Sequence, residues 1–456
     1  MEHLRRFTRR MHDLAQKASD DQRVIAFFEM NRQYHHAAIN DKPPASLTDK
    51  VAEMRQDFDQ YYIYNYFSFY DILFVDTQGT VFYSIRKEKD TYLNLVDEKA
   101  FAGVLGEVIA QKPEQEVFVD FYHYSPSSEP AAFFIEPIIH NGVQEGWIVL
   151  QCAINRLNSI FSSTDDLGQT GETFLVNETG FMLTESYFKG DSTILMQQLD
   201  DKNIRAKFTD RFGHRVVTDY RGATALTSFE VFDFLGTKWL VVAKIDKDEI
   251  TTNHYLRQKK YYKDLLLDYL KTSSFSVYGA APVQKNHPAA FRVDMDEFLK
   301  AKNGELLETW GVSTCTALIA TVPEKFCYLA HISPLDKVYN GSGTNILEQI
   351  TKKIKNFDIY PYEMQDVVFV AAAPHLDSIS NIIDQLIEEG FFLSQIKMAY
   401  HPSASSVAVY SDYQKNRVVF EWILQTDTDK KFVSDMEQTV NMGDIIEKIM
   451  HHNKEG

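Results

Sequence analysis

Cysteine is scarce: Cys152, Cys315 and Cys327 are the only three in 456 residues. Three thiols are too few, and of the wrong parity, for a disulfide framework, so a reducing compartment is expected. Positive charge is also short. Acidic residues number 64 against 47 basic ones, a net charge of −17, which argues against nucleic acid and anionic lipid as partners, because both need clustered Lys and Arg. No apolar run approaches the roughly 18–20 residues of a membrane helix. The longest, around Val367 and Thr316, read as buried strands. The N-terminus is basic but has no apolar stretch behind it, so it is not a secretory signal. A cytoplasmic protein is expected, membrane-associated if an upstream anchor is missing. Glycine and proline are few, 20 and 13, beside 13% aromatic residues, a globular composition. With no H-E-x-x-H, C-x-x-C, Walker or G-x-G-x-x-G string, no metal and no cofactor are expected.

Residues 1–40 carry apolar side chains at helical spacing (Leu4, Phe7, Met11, Leu14, then Val24, Phe27, Phe28). KPPAS, 42–46, breaks that helix, and Val51, Met54, Phe58 and Tyr61 start another. From Phe69 the pattern becomes strand. YDILFVDTQGTVFYSI reads as a β-hairpin turning at Asp76–Gly79. GETFLVNETGFMLTES repeats it a hundred residues on, aligning Val75–Gly79 with Val176–Gly180 as V-[DN]-x-x-G. The closing strands GWIVLQCAI and TKWLVVAKI repeat too, with Trp147 matched to Trp239. Two tandem α+β modules follow.

The charged stretch after Asp246 predicts a connecting helix. Beyond it the strand-like runs LIATV, FCYLAHI, VVFVAAA, VAVY and RVVFEWIL alternate with helical patterns at 346–354 and 379–389. GSGTN, 341–345, predicts a helix N-cap at Ser342 or Thr344. The spacing of Phe432, Met436, Val440, Ile445 and Ile449 predicts a terminal helix. The boundaries are therefore 1–66 for N-terminal helices, 67–165 and 166–248 for the two modules, and 249–274 for the connecting helix. A third domain covers 275–426 and a helical tail 427–456.

VFYSIRKEKDTYLNL, VDFYHYSPSSEPAAFFIEPI, LGQTGETFLVNETGFMLTES and VTDYRGATALTSFEVFDFLGTKWLVVAKID, in that order over about 45–250, resemble the double Cache domains of bacterial chemoreceptors and sensor kinases. The resemblance implies a long N-terminal helix and two PAS-like modules, the first (distal) one holding a small-molecule ligand. Tyr83, Arg86, Lys87, Asp90, Asp120, Tyr122 and Tyr124 combine cations, carboxylates and aromatic hydroxyls near strand ends, as a small polar anion or zwitterion requires. The Arg–Trp–Tyr arrangement of amino-acid-binding members is missing. The N-terminal helix also offers a dimer surface, and a homodimer is expected.

In the third domain, LLETWGVSTCTALIATVPEKFCYLAHISPLD places Cys315 at the end of a small-residue turn and His331 at the end of the next apolar strand. A hairpin between them brings thiol and imidazole together, the arrangement of an activated nucleophile. Gly311, Ser313 and Thr314 leave room for a substrate and for backbone N–H donors to an oxyanion. The segment resembles the CheD family of chemoreceptor glutamine deamidases, whose motif reads T-x-G-x-G-S-C. Thr309, Gly311 and Cys315 keep its register, while Ser313 replaces its second glycine. The resemblance implies that Cys315 is the nucleophile, His331 the acid–base and Thr309 its support, acting on a chemoreceptor-like protein substrate. The expected fold is thus α+β: N-terminal helices, two PAS-like modules and a C-terminal α/β CheD-like domain. The alternative is a non-catalytic sensor whose last domain only docks a signalling partner.

Overall fold

Helix α1, Glu2–Asp20, buries Leu4, Thr8, Met11, Ala15 and Ala18, one stripe at spacings of three and four that lies on a single helix face. The computed structural model describes residues 1–40, 42–162, 167–199, 201–262, 264–265, 290–302, 305–334, 345–401, 403–412, 417–424 and 431–452. The chain divides into two units, Met1–Ile245 and Asp246–Gly456.

In the first unit the helical N-terminus is split. Helix α2, Gln22–Asn40, starts after Asp21, whose carboxylate accepts from the Arg23 backbone N–H and from the hydroxyls of Tyr61 and Tyr66. These bonds satisfy a helix N-terminus that would otherwise lack partners. Helix α3, Ala45–Asn65, follows the proline break and stacks Phe58 on Phe27, ring centroids 4.0 Å apart.

The first module is an antiparallel sheet of β1 (Asp71–Asp76), β2 (Val81–Ser84), β3 (Val117–Tyr124), β4 (Glu129–His140) and β5 (Val143–Ala153), in the order β2-β1-β5-β4-β3. Alternation along β5 explains its two cores: Ile148 and Leu150 join Phe27, Phe28 and Phe74, while Trp147 and Val149 join Leu73, Leu105 and Ile109. The second module repeats the plan with β6 (Glu172–Asn177), β7 (Phe212–Thr218), β8 (Thr224–Phe234) and β9 (Thr237–Asp246), ordered β6-β9-β8-β7.

The repeated V-[DN]-x-x-G string builds the same turn twice. Asp76 Oδ1 accepts from the Thr80 N–H and Asn177 Oδ1 from the Phe181 N–H, both at 2.9 Å. Gly79 and Gly180 both sit at φ near +88°, at +88° and +87°, where a side chain is strained. The returning strand differs. It is a full strand after Gly79, but after Gly180 only the bridges Val176–Met182 and Phe181–Gln198 form.

The second unit holds two sheets. One contains β10 (Ala290–Arg292), β12 (Leu306–Val312), β17 (Ala404–Asp412), β18 (Arg417–Leu424) and β19 (Lys431–Asp435). The other contains β11 (Glu297–Lys300), β13 (Thr316–Val322), β14 (Phe326–Ile332), β15 (Val368–Ala372), β16 (Ile396–Ala399) and β20 (Val440–Asn441). Every residue of β13 and β14 is buried. One face meets the other sheet through Ala317, Ile319, Leu329, Val409 and Phe420, and the opposite face meets helices Ile346–Lys353, Leu376–Glu388 and Met442–His452. Burial on both faces is why these strands read as unbroken apolar runs.

Three expectations are corrected here. The helix after Asp246, Lys247–Arg257, is part of the second unit rather than a connector, with Tyr255 buried in that unit's core. Among the described residues the tail is α-helical only over Met442–His452, because Phe432 lies on β19, paired to Trp422 of β18. An apolar spacing of four suits a strand and a helix equally, and the cross-strand partner decides. The cap of Ile346–Lys353 is Asn345, which accepts from the Glu348 N–H at 2.7 Å; Ser342 and Thr344 lie outside the described residues.

Candidate functional site

The seven residues expected to line a pocket in the first module do not converge. Tyr83 turns towards the helices, edge-on to Phe27 and beneath Arg55, whose guanidinium carbon is 4.6 Å from its ring centroid. Arg86 stacks on Tyr70 at 4.5 Å and donates from Nε to the Tyr70 carbonyl, and Lys87 is exposed. Asp120 is separated from Tyr122 and Tyr124 by a bulge: Val119 pairs with Phe133 and Tyr122 with Ala131, so two residues face one. The extra residue reverses the facing of the strand. Asp120 therefore accepts from Trp239 Nε1 at 2.9 Å, in the second module, while Tyr122 donates to the Ala102 carbonyl.

Asp90 and Tyr124 do meet, hydroxyl to Oδ2 at 2.9 Å. Around them lie two residues that the sequence reading missed. Asp71 accepts from Ser84 Oγ, the Ile72 N–H and the Arg86 N–H. Gln151 stands directly opposite Asp71 on β5. Burial pushes the Asp71 carboxyl up to about 7 and that of Asp90 to about 6. A polar residue at each end of two otherwise apolar strands was the signal available in the sequence.

Asp120 fixes the two modules together. Burial pushes its carboxyl up to about 6, opposed by the Phe121 N–H and by Trp239. Trp239→Phe deletes a hydrogen bond to a charged group, a loss of about 2 kcal/mol. A carboxyl with a raised folded pKa contributes stability at acid pH that is lost as pH rises through that pKa. The deficit is therefore larger at pH 8 than at pH 5, read from hydrogen exchange of β8 and β9 amides.

In the second unit Thr309 and His331 meet, and strand register places Cys315 on the same face. Ala317 pairs with His331 across the β13–β14 hairpin, and Cys315 lies two residues before Ala317, on the same face and diagonal to the imidazole. Thr309 reaches His331 from the facing sheet: Oγ1 lies 2.8 Å from Nδ1 and 2.8 Å from the Val293 carbonyl oxygen. The single hydroxyl proton goes to Val293, since a carbonyl cannot donate, so Nδ1 carries the ring proton and Thr309 accepts it. Nε2 is then a bare lone pair, buried and without a hydrogen-bond partner among the described residues.

Two residues, Trp310 and Gly311, intervene before pairing resumes between Val312 and Val407. Gly311 is at φ +69° with open space where a Cβ would project. Ser378, on helix Leu376–Glu388, donates to the Thr314 carbonyl at 2.8 Å and ties down the turn before Cys315.

Burial pushes the Cys315 thiol up, and a hydrogen bond from Thr314 only partly opposes it. Burial likewise pushes His331 down, against the nearby Asp296 and Asp294. Both shifts favour the neutral forms, thiol and imidazole. Cys327 bonds to Ser411 at 3.1 Å, and Cys152 is buried in the core of the first unit.

Residues 4–253 match the family model described as Cache domain. The match begins at Leu4 rather than near residue 45, so α1 to α3 belong to it. Similar solved structures include the ligand-binding domain of the Pseudomonas fluorescens chemoreceptor CtaA in complex with L-alanine, at 17% identity over 53% of this chain and 98% of that one, TM-score 0.30. The periplasmic sensory domain of a Campylobacter jejuni chemoreceptor is 14% identical over 55% of this chain and 92% of that one, TM-score 0.36. An extracellular ligand binding receptor from Desulfohalobium retbaense is 13% identical over 51% of this chain, TM-score 0.33, and only 39% of that receptor is covered. No curated protein matches the chain.

Proposed function

The chain belongs to the Cache domain family, and from that premise we propose a sensor–effector: a small-molecule-sensing Cache unit joined to a CheD-like cysteine amidohydrolase. The observation that supports the effector half is the His331 imidazole, anchored at Nδ1 by Thr309 with Nε2 bare and buried on the face that carries Cys315. The substrate is a glutamine side chain of a protein partner. His331 Nε2 takes the Cys315 proton as sulfur attacks the carboxamide carbon. The tetrahedral oxyanion collapses, the C–N bond breaks, and Nε2–H protonates the leaving ammonia, giving a thioester. Water, deprotonated by Nε2, then attacks the thioester, and the expelled sulfur recovers its proton, leaving a carboxylate. Burial favours the neutral thiol and the neutral imidazole, so His331 acts as a general base during attack.

The test uses the full chain with the cytoplasmic segment of a chemoreceptor. Ammonia release, with conversion of glutamine to glutamate seen by peptide mass, is expected from the native chain and absent from Cys315→Ser. Conversion that survives Cys315→Ser would overturn the assignment. One observation favours the non-catalytic alternative: the thiol pushed up by burial. In that case the segment is retained by the native chain and by Cys315→Ser equally, with no ammonia from either. A cytoplasmic location and a homodimer through the N-terminal helices belong to the same proposal.

A further inference from the structure

The second module shows how the fold satisfies buried acids when it has its own cation. Glu172, the first residue of β6, stands opposite Lys244 of β9. Lys244 Nζ lies 3.2 Å from Glu172 and 2.5 Å from Asp219, with side chains almost wholly enclosed. Its ammonium also faces the rings of Phe188 and Tyr220, at 5.4 and 5.1 Å. Tyr220 donates to Glu172.

The first module places no cation opposite the first residue of its opening strand, and its closing strand pairs one residue out of step with the second: Val75 faces Trp147, whereas Val176 faces Leu240. Asp71, the first residue of β1, stands opposite Gln151 of β5, as Glu172 stands opposite Lys244 in the second module. A second acid and a tyrosine complete the group as before, here Asp90 and Tyr124. Asp90 is 0% exposed and Gln151 2% exposed, yet Asp90 Oδ1, Gln151 Oε1 and Thr91 Oγ1 have no hydrogen-bond partner among the described residues. Two of these three oxygens can only accept, so they call for a donor. The cations nearest in sequence are engaged elsewhere or exposed: Arg86 is on Tyr70 and Lys87 faces solvent. Burying two carboxyls with orphaned acceptors costs free energy unless a positive group reaches them.

We propose that the first module binds a small organic cation through a protonated primary amine, which takes among Asp71, Asp90, Gln151 and Tyr124 the place that Lys244 Nζ fills in the second module. This names the ligand class for the sensing function proposed above and rests on it. The ligand carries no carboxylate, because none of the partners offered to it is a cation. The second module takes no such ligand, since its lysine already occupies the site.

The test is calorimetric titration of the full chain with n-butylamine and putrescine, using n-butanol and butyrate as controls. Amine binding is expected at pH 7.5, with affinity falling as pH drops from 7 to 5, where Asp71 and then Asp90 take up protons and cease to attract a cation. Asp90→Asn lowers affinity by roughly tenfold or more. Gln151→Lys copies the second module, supplies the cation internally, and abolishes amine binding while the chain melts at the same or a higher temperature. Binding of butyrate or glycine in preference to the amines would overturn the cation assignment and leave sensing intact. If none of these probes binds, and Gln151→Lys still raises the melting temperature, the acids are a structural defect and the sensing function of this module falls with the proposal.

Discussion

Lys244→Met is expected to destabilise the second module by about 3–5 kcal/mol, the range for removing one partner of a buried ion pair. The lysine side chain is fully enclosed between Glu172 and Asp219. Burial alone would raise the Asp219 carboxyl, but Lys244 and Arg221 together hold it below the ordinary aspartate value. With methionine at 244, Arg221 still reaches Asp219 at 2.7 Å, whereas Glu172 keeps hydrogen bonds from Ser186 and Tyr220 without a cation.

The pH dependence has a definite sign. In the native chain the depressed Asp219 pKa contributes stability that is lost as pH falls through it. In the variant a buried carboxylate is left without its cation and protonation relieves that cost, so its stability rises as pH falls. The difference between the two proteins therefore narrows towards pH 4. Hydrogen exchange separates this from the rest of the molecule: amides of β6 and β9 lose protection while β13 and β14 are unchanged. A loss below about 1 kcal/mol would show that packing, not charge compensation, is the contribution of this lysine.

Thr309→Val is expected to cut the turnover proposed for the second unit by about 100-fold or more, the usual contribution of a positioned acid–base group. Valine keeps the shape but cannot accept from Nδ1–H, so His331 is free to shift its proton to Nε2 and lose the base that faces Cys315. The Val293 carbonyl also loses its donor, at about 1–3 kcal/mol. Serine restores the acceptor, so Thr309→Ser recovers most of the turnover, whereas a purely structural role would leave turnover unchanged in the folded valine variant.

The same geometry sets the alkylation profile of Cys315. Its thiol is pushed above the ordinary cysteine value and His331 below the ordinary histidine value. Reaction with iodoacetamide should be slow at pH 7 and climb with pH beyond 9 in the native chain and in His331→Gln alike. A fast native rate at pH 7 that collapses in His331→Gln would instead reveal a thiolate–imidazolium pair.

Legibility followed chain distance. The V-[DN]-x-x-G turn was readable because each bond that builds it, Asp76 to Thr80 or Asn177 to Phe181, spans four residues. The register of Thr309, Cys315 and His331 was also readable, since one short hairpin and one preceding strand carry all three. Strands β13 to β15 announced themselves as apolar runs because both of their faces are covered.

What the sequence by itself determined is therefore local: the helical stripes, the repeated hairpin turns, the buried strands and the spacing of the candidate nucleophile, base and support. Tertiary structure decided which polar groups share an interior. A single bulge at Asp120 and Phe121 sent Asp120 to Trp239 and away from Tyr124, and no local pattern marks a bulge. Asp71 and Gln151 are eighty residues apart and meet only through the pairing of β1 with β5. The charge state of Cys315 was likewise invisible, because it depends on how completely two sheets and a helix exclude water from the thiol, and desolvation is a property of the packed molecule rather than of the chain.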